Sequence, residues 1–161
     1  MAKIKSAIKV RGFFRINILK DRDGKEIIVG DSGWMKNQVV NLGFQDYLCQ
    51  TLAGMAGSKT VSYVALGTGG APAAADTGLA GEIMSSTQRK TVSPSTIASK
   101  TVQFTAAFAS SASFLSAAAN LSNIGLFNTS SGGTIFAGNT YASSSCATNQ
   151  SVNVSYQIRF S

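Results

Sequence analysis

Ser151-Val-Asn-Val-Ser-Tyr-Gln-Ile-Arg-Phe160 alternates without a break. Val152, Val154, Tyr156, Ile158 and Phe160 fall on one parity, and Asn153, Ser155, Gln157 and Arg159 on the other. A period of two marks a strand with one face in a core and one in water. The start of the chain repeats the pattern over residues 7–19. Ile8, Val10, Phe14, Ile16 and Ile18 share one parity, with Gly12 among them, and Lys9, Arg11, Phe13, Arg15 and Asn17 share the other. Thr101–Ala109 alternates too, with Val102, Phe104, Ala106 and Phe108 inward.

Shorter strands fill the gaps. Asp21-Arg-Asp-Gly24 is a turn signal, and Lys25–Val29 is the returning strand, so residues 1–30 read as a basic N-terminal hairpin. Val61–Gly67 and Gln88–Ser93 read as strands, the second ending near Pro94. Leu79–Ile83 reads as a short turn or strand. Leu121–Asn128 and Thr134–Tyr141 flank the turn Thr129-Ser-Ser-Gly-Gly133 as a hairpin. Over 37–53 the spacing shifts: Val40, Phe44, Tyr47, Leu48 and Leu52 form one helical stripe, with Asn37 as the N-cap. Gly43 inside that helix implies close packing on a neighbour. The 161 residues therefore form one domain, with the main strands in 61–161. The expected fold is mainly β: an antiparallel β-sandwich of jelly-roll type with about eight strands and one helix.

Composition narrows the chemistry. Charged residues are 13%, against about 25% in a typical soluble domain. The absence of His removes Ser-His and Cys-His nucleophile pairs. Two Cys cannot build a structural zinc site. Cys49 and Cys146 lack CxxC spacing and read as free, buried thiols. No apolar run approaches a membrane span, and Met1-Ala-Lys-Ile-Lys5 lacks the apolar stretch of a signal peptide, so synthesis in a cytoplasm is expected.

The remaining motifs carry little chemistry. Gly67-Thr-Gly-Gly70 follows a strand but lacks the Gly-Lys-Ser/Thr ending of a phosphate loop. Ser58-Lys59 and Ser99-Lys100 are adjacent pairs, not the spaced Ser-Lys motif of an acylase. Asp46, Asp76 and Glu82 are isolated carboxylates, and the run Asp21 to Glu26 is too short for a calcium cage. No catalytic residue, cofactor or metal is expected.

Charge is uneven. Residues 1–40 hold nine Lys/Arg and four Asp/Glu, and residues 41–161 hold five and three. Three readings of the basic segment stand: a solvated strand face that protects an edge, a surface for an acidic protein, and a nucleic-acid contact. Trp34 reads either as an anchor on the core or as an interface ring.

The order of segments also carries a resemblance. The basic hairpin leads to Lys36-Asn-Gln-Val-Val-Asn-Leu-Gly43, then to Tyr63-Val-Ala-Leu-Gly-Thr-Gly69. Ala71-Pro-Ala-Ala-Ala-Asp-Thr77, Leu79-Ala-Gly-Glu82 and Arg89-Lys-Thr-Val92 follow, then Asn123-Ile-Gly-Leu-Phe-Asn128 and Gly133-Thr-Ile-Phe-Ala137. Over residues 36–160 this resembles small virion proteins of tailed bacteriophages. Asn123 stands where their pattern carries an acidic residue. The resemblance implies a β-rich structural protein without a catalytic site. The expected function is that of a capsid decoration or cement protein on the outer face of the major capsid protein, located in the virion. A tail, collar or fibre-associated virion protein is the alternative, and a lectin-like sugar-binding module is a further class. The low charge of residues 101–147 suggests a homo-oligomer, with a trimer favoured. Lys9, Arg11, Phe13, Arg15 and Trp34 are the expected partner-docking residues, and Lys3 and Lys5 join the same parity if the strand extends upstream.

Overall fold

A computed structural model describes residues 8–83 and 89–161. Among these described residues ten strands form: β1 Val10–Arg22, β2 Lys25–Asp31, β3 Met35–Val39, β4 Tyr63–Gly67, β5 Lys90–Thr91, β6 Ser93–Ala98, β7 Thr101–Phe108, β8 Ala119–Phe127, β9 Ile135–Cys146 and β10 Gln150–Phe160. All pairings are antiparallel, in the order β5-β4-β8-β9-β3-β1-β10-β7-β6, with β2 beside β1. The expected antiparallel β-sandwich is what forms, and it is nearly closed into a barrel. Two segments switch sheets, as strands do at the corners of such sandwiches. Met35–Asn37 of β3 pair with β1, and Gln38 and Val39 pair with β9. On the far side, Val92 alone separates β5 on β4 from β6 on β7.

The alternating strands face as their parity dictates. Phe14, Ile16 and Ile18 of β1 meet Val152, Val154, Tyr156 and Ile158 of β10 in the main core, with Phe104 and Phe108 of β7. Ile8 departs from the pattern: it precedes β1 and is 83% exposed. Leu19 also departs: it lies on the outward parity yet is buried, beside a register irregularity in which β2 carries the extra residue, Val29. The β1–β2 hairpin closes on Asp23 and Gly24 at φ 56° and 77°, the left-handed pair that a two-residue hairpin turn demands.

Three expectations are corrected. The helix does not span 37–53. Residues 35–39 are strand β3, so Asn37 is not an N-cap, and the helical run is a wide π-helical stretch Gly43–Cys49 continued by α1, Gln50–Leu52. Wider turns rotate the expected stripe: Tyr47 is buried, while Phe44 and Leu52 are exposed. Gly43 lies flat on β9, where a methyl group would strike the Phe136 carbonyl oxygen. The strand expected to end near Pro94 instead continues through it as β6. That strand pairs only with β7 among the described residues, and an edge tolerates proline's missing N–H. Gln88 lies outside the described residues. Finally, Cys49 is exposed and only Cys146 is buried, its thiol pushed up to about 11 by burial. A thiol reagent should label one cysteine quickly in the native protein and two after denaturation.

Gly12 explains the break in the inward parity of β1. The Asn37 amide crosses over Gly12, where any Cβ would overlap it, and its N–H donates to the buried Tyr156 hydroxyl. Gly12→Ala must expel that amide from the seam. A loss of about 1–3 kcal/mol is expected from the denaturant midpoint.

Strands β4 and β8 show no alternation because both faces are covered. Val64, Ala65 and Leu66 are buried in succession, as are residues 123–127. The inner side chains join the main core. On the outside, Ala65, Phe127, Ile135 and Val40 pack with Leu79 from the long Gly-Ala loop after β4.

Candidate docking face

The pairing of β1 with β10 brings the two ends of the chain together. Lys9 exchanges backbone hydrogen bonds with Ser161, at 2.6 and 2.9 Å, and extends the ladder by one pair. Arg11 then faces Arg159, Phe13 faces Gln157, and Arg15 faces Ser155. On the other side of β1, Phe13 faces Lys36 of β3. The outward parity of β1 thus places Lys9, Arg11, Phe13 and Arg15 on one sheet face, as the alternation requires. Lys36 and Arg159 add two cations that the linear sequence did not connect to them. Lys3 and Lys5 lie outside the described residues.

The cations are not equivalent. Arg15 is engaged by Asp31, with Nε 3.0 Å from Oδ1 and Nη2 2.5 Å from Oδ2. Arg15, joined by the Gly33 backbone N–H, holds the Asp31 carboxyl down at about 2. A depressed carboxylate stabilises above its unfolded pKa, so this contribution is full above about 3.8 and is lost as pH falls from there through about 2. Being exposed, the pair adds little to stability. Lys9, Arg11, Lys36 and Arg159 have no carboxylate partner among the described residues. Between Arg11, Phe13 and Lys36 lies a depression of about 350 Å³ floored by Gly12 and Asn37. Trp34, two residues ahead of Lys36, is 46% exposed, so it is not a buried anchor.

The isolated carboxylates serve the fold. Asp46 takes the Lys59 ammonium, which also donates to Thr134 Oγ1 at 2.8 Å. Asp76 accepts the Ala73 N–H at 2.8 Å. Glu82 is held by both Nε and Nη2 of Arg89, at 2.7 and 3.0 Å. Asp21 accepts the Gly24 N–H of the hairpin turn. Lys59 of the Ser58-Lys59 pair is therefore committed, and Ser99 and Lys100 sit in the turn between β6 and β7. Among the described residues no three His, Cys, Asp or Glu side chains gather as a metal site. No helix among them is long and apolar enough to cross a membrane.

No family model, curated protein or solved structure matches the chain.

Proposed function

We propose that this chain is a structural protein of a bacteriophage particle, which binds the outer capsid surface as a decoration protein through the basic face of β1, β3 and β10. The observation that carries the docking reading is the gathering of Lys9, Arg11, Lys36 and Arg159 around Phe13 with no acidic partner among the described residues. Such a face is electrostatically incomplete, and it steers toward an acidic surface. The segment order described above supplies the link to the virion. The low charge of residues 101–147 supports packing of the protein with copies of itself as a small cyclic oligomer.

Two measurements test this reading. Images of particles labelled for the protein should show it over the whole head, and label confined to a vertex or the tail would refute the capsid assignment. Raising salt should release the protein, because exposed charges are screened beyond about 8 Å at physiological ionic strength. Changing Lys9, Arg11 and Lys36 together to Ser should shift release to lower salt without unfolding, since the inward parity of β1 is untouched.

A further inference from the structure

Arg159 is held in place before any partner arrives. Its guanidinium carbon lies 4.6 Å from the centroid of the Phe13 ring. Nε and Nη2 donate to Gln157 Oε1 at 3.2 and 2.7 Å. Gln157 is only 6% exposed although it sits on the outward parity, and its Nε2 donates to Gln103 Oε1 at 2.8 Å. A side-chain ladder Gln103–Gln157–Arg159 thus runs from β7 across β10. Nη1 of Arg159 has no hydrogen-bond partner among the described residues. Arg11 stands directly opposite in the β1–β10 register and also has no acidic partner among the described residues. Like charges opposite one another across strands repel, so this pair does nothing for the fold by itself. An anion between the two guanidinium groups would turn that repulsion into attraction.

We infer that Arg159 and Arg11 form a subsite for a carboxylate side chain, so that the partner presents an acidic stretch of protein. The inference rests on the docking reading above. A planar guanidinium suits a carboxylate through paired N–H donors, and one already ordered by Phe13 and Gln157 loses little freedom on binding. A nucleic acid is disfavoured by the same geometry. Single strands stack their bases on free ring faces, and one face of Phe13, the ring at the centre of the cations, is covered by Arg159.

The whole protein can be titrated with an oligoglutamate peptide, with the fluorescence of its single tryptophan, Trp34, as the reporter. Saturable binding is expected, weakened about tenfold or more in Arg159→Gln. Arg159→Lys should also weaken it, because charge is kept but the planar fork is lost. Arg22→Gln at the hairpin tip should change little. A thermal melt of each variant, matching the parent, shows that the fold is intact. Equal losses in Arg22→Gln and Arg159→Gln, or parental affinity in Arg159→Lys, would mean a diffuse positive field and no subsite. Tighter binding of a single-stranded oligonucleotide at the same salt would overturn the carboxylate assignment, as would no binding of oligoglutamate. If particles hold the protein while oligoglutamate does not bind, the subsite fails and docking stands. If oligoglutamate binds and particles do not hold the protein, docking fails and the subsite stands.

Discussion

Asn123→Asp should destabilise the protein by roughly 3–5 kcal/mol at neutral pH, combining a buried charge with two lost hydrogen bonds. Asn123 is fully buried on β8. Its amide N–H groups donate to the Gly70 carbonyl at 2.9 Å and the Ala80 carbonyl at 2.8 Å. Ser122 Oγ adds a bond to the Gly69 carbonyl at 3.0 Å. These bonds pin both ends of the Gly-Ala loop to the barrel, and Thr68 N–H to Gly81 O at 3.0 Å closes it. A carboxylate at this position would offer no donor and would face two carbonyl oxygens. The change has a pH signature. The introduced carboxyl would be easier to protonate when folded than when unfolded, so its folded pKa is raised. The penalty is then full above that raised pKa and shrinks as pH falls, when the protonated acid can donate one bond. Urea midpoints of parent and variant should converge from pH 7 toward pH 4. A gap that stays constant, or widens in acid, would show that the loop does not depend on those donors.

The same residue shows where sequence reading succeeds and where it stops. Strands β1, β7 and β10 were legible because each has one wet face, so parity alone orients Phe14, Phe104 and Tyr156 inward. Strands β4 and β8 gave only a run of apolar residues, because their second cover is a loop, and nothing local in Gly67-Thr-Gly-Gly70 says that it folds back over Phe127. Asn123 stood out only as a departure from the acidic residue of the resemblance pattern, and nothing local told that its amide holds the loop. The seam at β3 was misread for a related reason. Asn37 suits an N-cap and Val40 a helical stripe, and what decides is Asn37 lying over Gly12, a contact between distant residues. On the candidate docking face, Lys9, Arg11, Phe13 and Arg15 followed from period two. Lys36 and Arg159 did not, since they reach the face only through the β1–β3 and β1–β10 registers. The outward parity of Arg159 was the one available signal.

Arg89→Ala should cost about as much as Asn123→Asp, roughly 3–5 kcal/mol, because it leaves a largely covered carboxylate without its partner. The Arg89 side chain is 4% exposed and that of Glu82 is 11% exposed. Beyond the two bonds to Glu82, Nη1 donates to the Thr129 carbonyl at 3.0 Å and the Gly132 carbonyl at 2.7 Å. The guanidinium also covers the Phe127 ring, with its carbon 3.4 Å from the centroid. One side chain, directly ahead of β5, therefore fastens the β8–β9 turn. Glu82 is itself placed by a lone bridge to Gly67, so the pair also ties down the exit of the Gly-Ala loop. Removing the cation strands Glu82 and two turn carbonyls at once. A double variant, Arg89→Met with Glu82→Leu, replaces both charges by apolar groups and removes the uncompensated carboxylate. It should be more stable than Arg89→Ala, by an amount that the denaturant midpoints will read directly. If Arg89→Ala costs under about 1 kcal/mol, the pair behaves as a surface ion pair and its burial is not felt. If the double variant is the less stable of the two, Glu82 supports the fold even without its cation, and the stranded charge is not the source of the loss.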